Sequence, residues 1–260
     1  NTVPLVQHVA ANQRFYYVQM LEHLFYGEGS PSWHAARNSY PMAKDNGFQF
    51  ICIATWQQAA LMYQWGIEAA MIPVAVNRKH FYPDGFKAED NPYVLVEGDG
   101  RNYAKDVDGI GFRVAEAIRH EFGYKLYGFA AYRHAQAAMF DRFITTPTEQ
   151  EMRKLYSGAQ FMIKASKYEG RAGAVSEAMV CGTACARAII EGDEDLIDYQ
   201  TGLRVGYDEE ALLGAARMLA CQPALRRFLE RNCLEYTQTH LLWEPVIDQL
   251  EEQFCTQNEE

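Results

Sequence analysis

The sequence predicts an α/β protein of parallel strands joined by crossover helices, and three observations carry that reading. Short apolar runs alternate with longer helix-period patterns along the chain, the mark of strand–helix–strand units with right-handed crossovers. Several runs are continuous in Val, Ile, Phe and Leu rather than alternating, as expected of parallel strands covered on both faces. With 260 residues, 48% hydrophobic and 22% charged, the chain is long enough for a sizeable core in one large or two small domains, and disorder is excluded as its dominant state.

The apolar runs place strands at residues 5–9, 48–54, 70–76, 93–97, 125–130, 143–145, 161–165, 184–190 and 202–205. Helical patterns lie between them at about 13–26, 55–65, 108–121, 134–140, 148–158, 173–181, 208–220, 222–236 and 243–254. The first of these carries Phe15, Tyr16, Tyr17, Phe25 and Tyr26 at helical spacing, as core or interface residues. Residues 27–46 contain Gly, Ser, Pro and a few aromatics and read as a mobile loop. Residues 77–92, NRKHFYPDGFKAEDNP, are polar with two prolines and read as a linker between a domain at 1–76 and one at 93–240. In the terminal helix and tail, 241–260, Leu242, Val246, Leu250 and Phe254 stand four apart, and Trp243 and Pro245 sit at the helix start, where Pro is tolerated.

The 34 acidic and 24 basic residues give a net charge of −10, which argues against nucleic acid or an anionic membrane surface as partner and leaves room only for local basic sites. No apolar run approaches the roughly 18–20 residues that span a bilayer. The start, Asn1-Thr2-Val3-Pro4, has no basic region of the signal-peptide kind. The six cysteines are scattered without CxxC pairs, so no zinc site is expected and a reducing, cytoplasmic setting is, although count alone leaves disulfides open.

The most informative stretch is 164–183, KASKYEGRAGAVSEAMVCGT. A strand ends near Ser166, a turn carries Glu169, Gly170 and Gly173, and a helix begins about Gly173. Such a turn can offer backbone N–H groups to an anion, helped by the helix dipole, and its glycines admit close approach. Glu169 and Glu177, eight apart, are suited to accept hydrogen bonds from sugar hydroxyls. Their plainer reading is a capping residue and a solvated helix glutamate. Ser166 lies outside a G-x-S-x-G elbow, with no His and carboxylate near it in sequence. His134 and His240 read as structural.

The extended pattern S-x-x-E-G-x(6)-E-A-M-x-C-G-T, read at Ser166, Glu169, Gly170, Glu177, Ala178, Met179, Cys181, Gly182 and Thr183, resembles the E-x7-E signature of retaining GT-B glycosyltransferases, family 4 in particular. Residues 148–159 (TEQEMRKLYSGA), residues 191–205 (EGDEDLIDYQTGLRV) and Trp243-Glu244 resemble segments on either side of that signature, and Thr55-Trp56, Trp65-Gly66 and Ile72-Pro73 resemble the end of the family's first domain. The likeness covers roughly residues 50–254. The chain departs from it at Gly170-Arg171-Ala172-Gly173-Ala174, where the family has Gly-Phe-Gly-Leu-Pro, and at Asp99, where it has Arg.

The resemblance implies a GT-B-like α/β fold: a complete C-terminal Rossmann-like donor domain at 93–240 and a partial N-terminal, acceptor-side one at 1–76. It implies that Glu169 contacts the donor sugar and that the backbone of Gly170, Arg171, Ala172 and Gly173 meets sugar and diphosphate, with the Arg171 side chain either on the ligand or in solvent. It places Glu177 on the ribose, Lys105 and Arg101 on the diphosphate, and the Thr145–Thr146 loop at the nucleobase. His8, ending a strand, is a candidate near the reacting centre. The implied activity is metal-independent, retaining glycosyl transfer without a cofactor, from a nucleotide-sugar to a carbohydrate or glycolipid acceptor. A partner chain or homo-oligomer would cover the shortened first domain. The location would be cytoplasmic or peripheral at a membrane. A nucleotide-sugar epimerase and a non-catalytic nucleotide-sugar-binding subunit are the alternatives.

Overall fold

Nine strands among the described residues form two all-parallel sheets. The computed structural model describes residues 11, 13–85, 90–98, 103–132 and 135–255. The small sheet runs β1 (Phe15–Val18), β2 (Gln49–Cys52), β3 (Ala69–Met71) in that order. The large sheet holds β4 (Tyr93–Glu97), β5 (Lys125–Ala130), β6 (Arg142–Thr145), β7 (Phe161–Ala165), β8 (Cys185–Ala188) and β9 (Leu203–Val205). Its order is β6-β5-β4-β7-β8-β9, so the winding reverses between β4 and β7, where doubly wound sheets open a ligand crevice.

Eight α-helices flank the sheets among the described residues: α1 (Pro31–Asp45) and α2 (Thr55–Trp65) by the small sheet; α3 (Ile110–Phe122), α4 (Glu149–Gly158), α5 (Gly173–Val180), α6 (Glu209–Cys221) and α7 (Pro223–His240) around the large one; and the terminal α8 (Trp243–Cys255). Their starts follow from local chemistry. The Thr148 side chain accepts from Glu151 N while the Glu151 side chain accepts from Thr148 N, a reciprocal cap on α4. Asp208 caps α6 through Ala211 N at 2.8 Å.

Both faces of the large sheet are covered, which is why its strands read as unbroken apolar runs. Val94, Val96, Phe161, Ile163 and Ala186 face α3 and α6, where Phe112, Ile118, Leu212 and Leu219 complete one core. Tyr93, Leu95, Met162 and Cys185 face α4 and α5, with Leu155, Tyr156, Val175 and Met179. Each fully buried Leu or Ile stabilises by about 1.5–3 kcal/mol. The terminal helix returns to the small sheet: Val246 packs with Ile51, Ile72 and Ala75, and the Phe254 and Phe15 rings meet at 4.7 Å.

Two sequence expectations are corrected. Residues 13–26 are not one helix but strand β1 followed by a 3₁₀ turn, Glu22–Phe25. Residues 27–46 are not a loop but contain α1, capped by Ser30 Oγ accepting from Trp33 N at 3.2 Å, with Pro31 in its first turn. Pro41 inside that helix removes one ladder donor, yet Tyr40 and Ala43 beside it are fully buried, and this packing carries the helix through. The described part of 77–92 lies on α4: Phe81 is buried against Tyr156, and Asp84 pairs with Arg153 at 3.1 Å. The expected strand at 5–9, with His8, lies outside the described residues. Among those described, no helix is long and apolar enough to cross a membrane.

His23 is enclosed by the rings of Trp33, Tyr40 and Trp65, and its Nδ1 is buried without a hydrogen bond. Burial, with the Arg37 guanidinium adding to it, lowers its pKa to about 4. Between the ordinary histidine value of about 6.5 and about 4, the unfolded chain takes a proton there that the folded chain refuses, so stability falls as pH falls through that window. Replacing the residue (His23→Phe) is expected to reduce the loss of melting temperature between those two pH values, read as the difference between wild-type and variant thermal melts.

Candidate functional site

The switch point carries a row of charge where apolar side chains would be expected. Strands β4, β7 and β8 are neighbours, and Val96 pairs with Ile163 while Lys164 pairs with Arg187. Glu97, Lys164 and Arg187 therefore line up across the carboxyl ends of three strands, on the face that Leu95, Met162 and Cys185 make apolar one step earlier. The Glu97 carboxylate accepts from Lys164 Nζ, and Asp193 accepts from Arg187 Nε. The Lys164 and Arg187 side chains are 3% and 0% exposed.

The turn after β7 delivers Glu169 onto this row. Its carboxylate, only 9% exposed, accepts from Lys105 Nζ at both oxygens (2.7 and 2.9 Å) and from Ser166 Oγ at 3.0 Å. Lys164 Nζ lies 3.2 Å and Arg187 Nη2 3.9 Å from Oε1. Burial alone would raise the Glu169 pKa; Lys164, Lys105 and Arg187 overcome it and hold the carboxyl well below the usual range. Burial pushes the Lys164 ammonium pKa down, with Glu169 opposing. The turn is braced from behind, since Glu169 N donates to Glu191 O at 3.0 Å. The next residue, Gly192, has φ +120°, and a Cβ there would overlap the Glu169 carbonyl.

The small sheet closes the site from the other side. Trp56 Nε1 donates to Glu169 O at 2.9 Å, and Glu194 caps α2 by accepting from Thr55 Oγ (2.5 Å) and Trp56 N (3.1 Å). Between the units lies a cavity of about 370 Å³ lined by Gln19, Met20, Glu22, Phe25, Ile53 and Val74 on one side and Lys105, Glu169, Gly170 and Arg171 on the other. Gln19 follows β1, Ile53 follows β2 and Val74 follows β3, so both sheets turn their carboxyl ends to one space.

The remaining sequence candidates divide. Arg171 lines the cavity, and its Nη2 lies 3.4 Å from Asp195 Oδ1. Ala172 N donates to Asp193 Oδ1 at 2.7 Å, and Gly173 opens α5, which no side chain caps. Glu177 is not among the residues lining that cavity; it accepts from Tyr156 Oη at 3.0 Å. Burial raises its pKa to about 7, against the Tyr156 hydrogen bond and with a smaller contribution from Glu149. Thr145 and Thr146 are exposed at the end of β6, two strands from β4. Arg101 and His8 lie outside the described residues. The sequence reading missed Lys164, Arg187, Glu97 and Asp106. Asp106 closes the start of α3, accepting from Ile110 N and Gly111 N at 2.8 Å each, and its position four residues before the helix was the available signal. Among the described residues no cluster of His, Cys, Asp and Glu could hold a metal ion.

No family model and no curated protein matches this sequence. Solved structures do match its fold. A sucrose-phosphate synthase from Thermosynechococcus elongatus superposes with a TM-score of 0.79 at 21% identity, over 97% of this chain and 69% of that one. The S. aureus TarM in complex with fondaparinux, α-GlcNAc-glycerol and UDP gives 0.79 at 14%, over 98% and 53%. Anabaena HepE in complex with UDP-glucose gives 0.76 at 12%, over 94% and 72%. The fold is that of the GT-B glycosyltransferases. The present chain spans about half the length of TarM and about seven-tenths of the other two.

Gly170 meets the small-sheet unit so closely that a Cβ there would overlap the Gln19 carbonyl oxygen and press on Gln57 Nε2 and Ile53 Cδ1 at 2.9 Å. Gly170→Ala is therefore expected to destabilise by about 1–3 kcal/mol, the ordinary cost of overpacking, read as a lower denaturant midpoint.

Proposed function

We propose that this chain is a glycosyltransferase that takes its sugar from a nucleotide-sugar donor held at the switch point. The observation that carries this reading is the pairing of Lys105 with the buried carboxylate of Glu169 on the wall of a cavity between two carboxyl-end-facing parallel sheets. An anionic diphosphate finds Lys105 and Arg171 on one wall, and α5 begins two residues after Arg171 with no side chain capping it. The sugar hydroxyls find an ionised Glu169. The nucleoside extends along α5 toward Glu177 and the Thr145–Thr146 loop. The bond from the anomeric carbon to the diphosphate oxygen breaks, a bond to the acceptor hydroxyl oxygen forms with retention, and the hydroxyl proton passes to the departing diphosphate. Lys105 and Arg171 supply the positive charge that the departing diphosphate needs, doing the work of a metal ion, and fixing donor and acceptor in one cavity supplies orientation. The fold neighbours solved with UDP and with UDP-glucose support this reading.

A panel of nucleoside diphosphates and their sugars, read by thermal shift, tests it. At least one member is expected to raise the melting temperature, since a ligand at 100 times its Kd stabilises by about 2.7 kcal/mol. Lys105→Met is expected to weaken that ligand about 10- to 100-fold, the scale of a charge-assisted hydrogen bond. A panel with no binder at all defeats the proposal.

The Glu177 carboxyl, with its pKa near 7, gives a second expectation. It carries a proton below that value and becomes the stronger acceptor for ribose hydroxyls above it. Nucleotide affinity is therefore expected to rise from pH 6 to pH 8, and Glu177→Gln to flatten that rise, both read by calorimetry.

A further inference from the structure

Two lysines reach the Glu169 carboxylate, and they differ in kind. Lys105 stands on the segment between β4 and α3, lines the cavity, and has a side chain 18% exposed. A ligand's anionic group entering the cavity competes directly for it. Lys164 is fixed within β7, is 3% exposed, does not line the cavity, and is tied to Glu97 by strand register. We propose that Lys164 is a positioning residue, which holds the Glu169 carboxylate in place while Lys105 leaves it for the anionic group of a ligand. The proposal rests on the donor-site reading above and adds a division of labour within it.

The charges around Glu169 support that division. From β4 comes Glu97, from the segment after it Lys105, from β7 Lys164, from β8 Arg187, from the loop after β8 Asp193, and across the cavity Glu22. Arg187 is committed through Nε to Asp193 and stands 3.9 Å from Glu169, beyond hydrogen-bond distance. Asp193 is itself occupied by Ala172 N at 2.7 Å. If Lys105 departs, Lys164 is the one ammonium still close to the carboxylate, at 3.2 Å, among the described residues. Without it a buried carboxylate would take up a proton and lose its value as an acceptor for sugar hydroxyls. A Lys164 charge cancelled at Glu169 by Glu97 would leave the titration of Glu169 unchanged when both are removed together.

The test follows the Glu169 carboxyl by NMR in protein carrying 13Cδ-labelled glutamate, its resonance assigned by its loss in Glu169→Gln. Three proteins are titrated with and without inorganic pyrophosphate: wild type, Lys105→Met, and the double variant Lys164→Met/Glu97→Gln, which removes both charges of the inner pair together. In Lys105→Met, Glu169 is expected to stay ionised down to about pH 5, because Lys164 remains. In the double variant with pyrophosphate, its midpoint is expected to rise by about two pH units relative to wild type with pyrophosphate. A double variant that titrates like wild type overturns the proposal, as does a Lys105→Met protein whose Glu169 is already protonated at about pH 6. The Lys105→Met arm leaves the sheet interior untouched and can overturn the proposal even if the double variant does not fold. Pyrophosphate that leaves every resonance of the wild type unmoved counts instead against the donor-site reading.

Discussion

One carboxylate, almost shut off from water and faced by three cations, organises this molecule. Removing a carboxylate from water costs several kcal/mol even after relaxation, and good geometry with cations is what offsets it. For Glu169 that geometry exists only after folding. Lys105 follows β4, Lys164 belongs to β7 and Arg187 to β8, and parallel pairing of these three neighbours is what brings them together. The counter-charges Glu97 and Asp193 leave the cluster close to neutral. Strand order and site electrostatics are thus one constraint: a slip of one residue in β7 would turn Lys164 into the core formed by Ile163 and Phe161 and leave Glu97 and Glu169 without it.

The same turn that holds the carboxylate also joins the two halves of the fold. Trp56 of α2 donates its indole N–H to the Glu169 carbonyl, and Glu194, a few residues beyond β8, closes the first turn of the same helix. Tyr103 N donates to Phe25 O at 3.2 Å and Val76 N to Leu241 O at 3.3 Å, so the chain is stitched across the interface at both ends. The helix dipole of α2 favours a carboxylate at its start, which gives Glu194 a second reason to sit there. Any displacement of the small sheet therefore pulls on the backbone of the residue whose side chain faces the cavity, and the position of the first unit is felt at the site.

Sequence and structure agree most closely where burial on two faces forces composition. The strands expected at 93–97, 125–130 and 161–165 coincide with β4, β5 and β7, because an all-apolar run of that length has few other uses in a chain with crossover helices. The early aromatics misled for a physical reason. FYYV satisfies a period of two as well as it does part of a helical stripe, and only the pairing of Phe15 with Gln49 and Tyr17 with Ile51 decides between them. The Gly, Ser and Pro of 27–46 spoke for a loop, and the Ser30 cap, Pro31 in the first turn and the burial of Tyr40 make it a helix instead. At the site, Glu169 was readable as a carboxylate in a turn that follows a strand, while Lys105 and Arg171 came only with the family resemblance. Lys164 and Arg187 were not readable, because a single cation inside an apolar strand says nothing of its neighbour until the register is known.

The two glutamates of the motif show how far spacing can go. Eight residues apart, they are chemically identical in sequence and opposite in the folded chain. Glu169 is buried among cations, which reverse the effect of burial and keep it charged. Glu177 is half-buried against a phenol, with Glu149 adding to the effect of desolvation and no cation among the described residues opposing it, and its pKa rises to about 7. Environments that push two like groups apart in this way assign them different work. The fixed charge suits a role in which an acceptor must be present throughout a reaction whose leaving group is itself anionic. The titrating group suits recognition, where a change of half a charge tunes affinity without touching the reacting bond. On the proposed reading one stretch of sequence serves both roles, because the difference between the two environments lies in β4, β7, β8 and the segment after β4 rather than in the spacing of the glutamates.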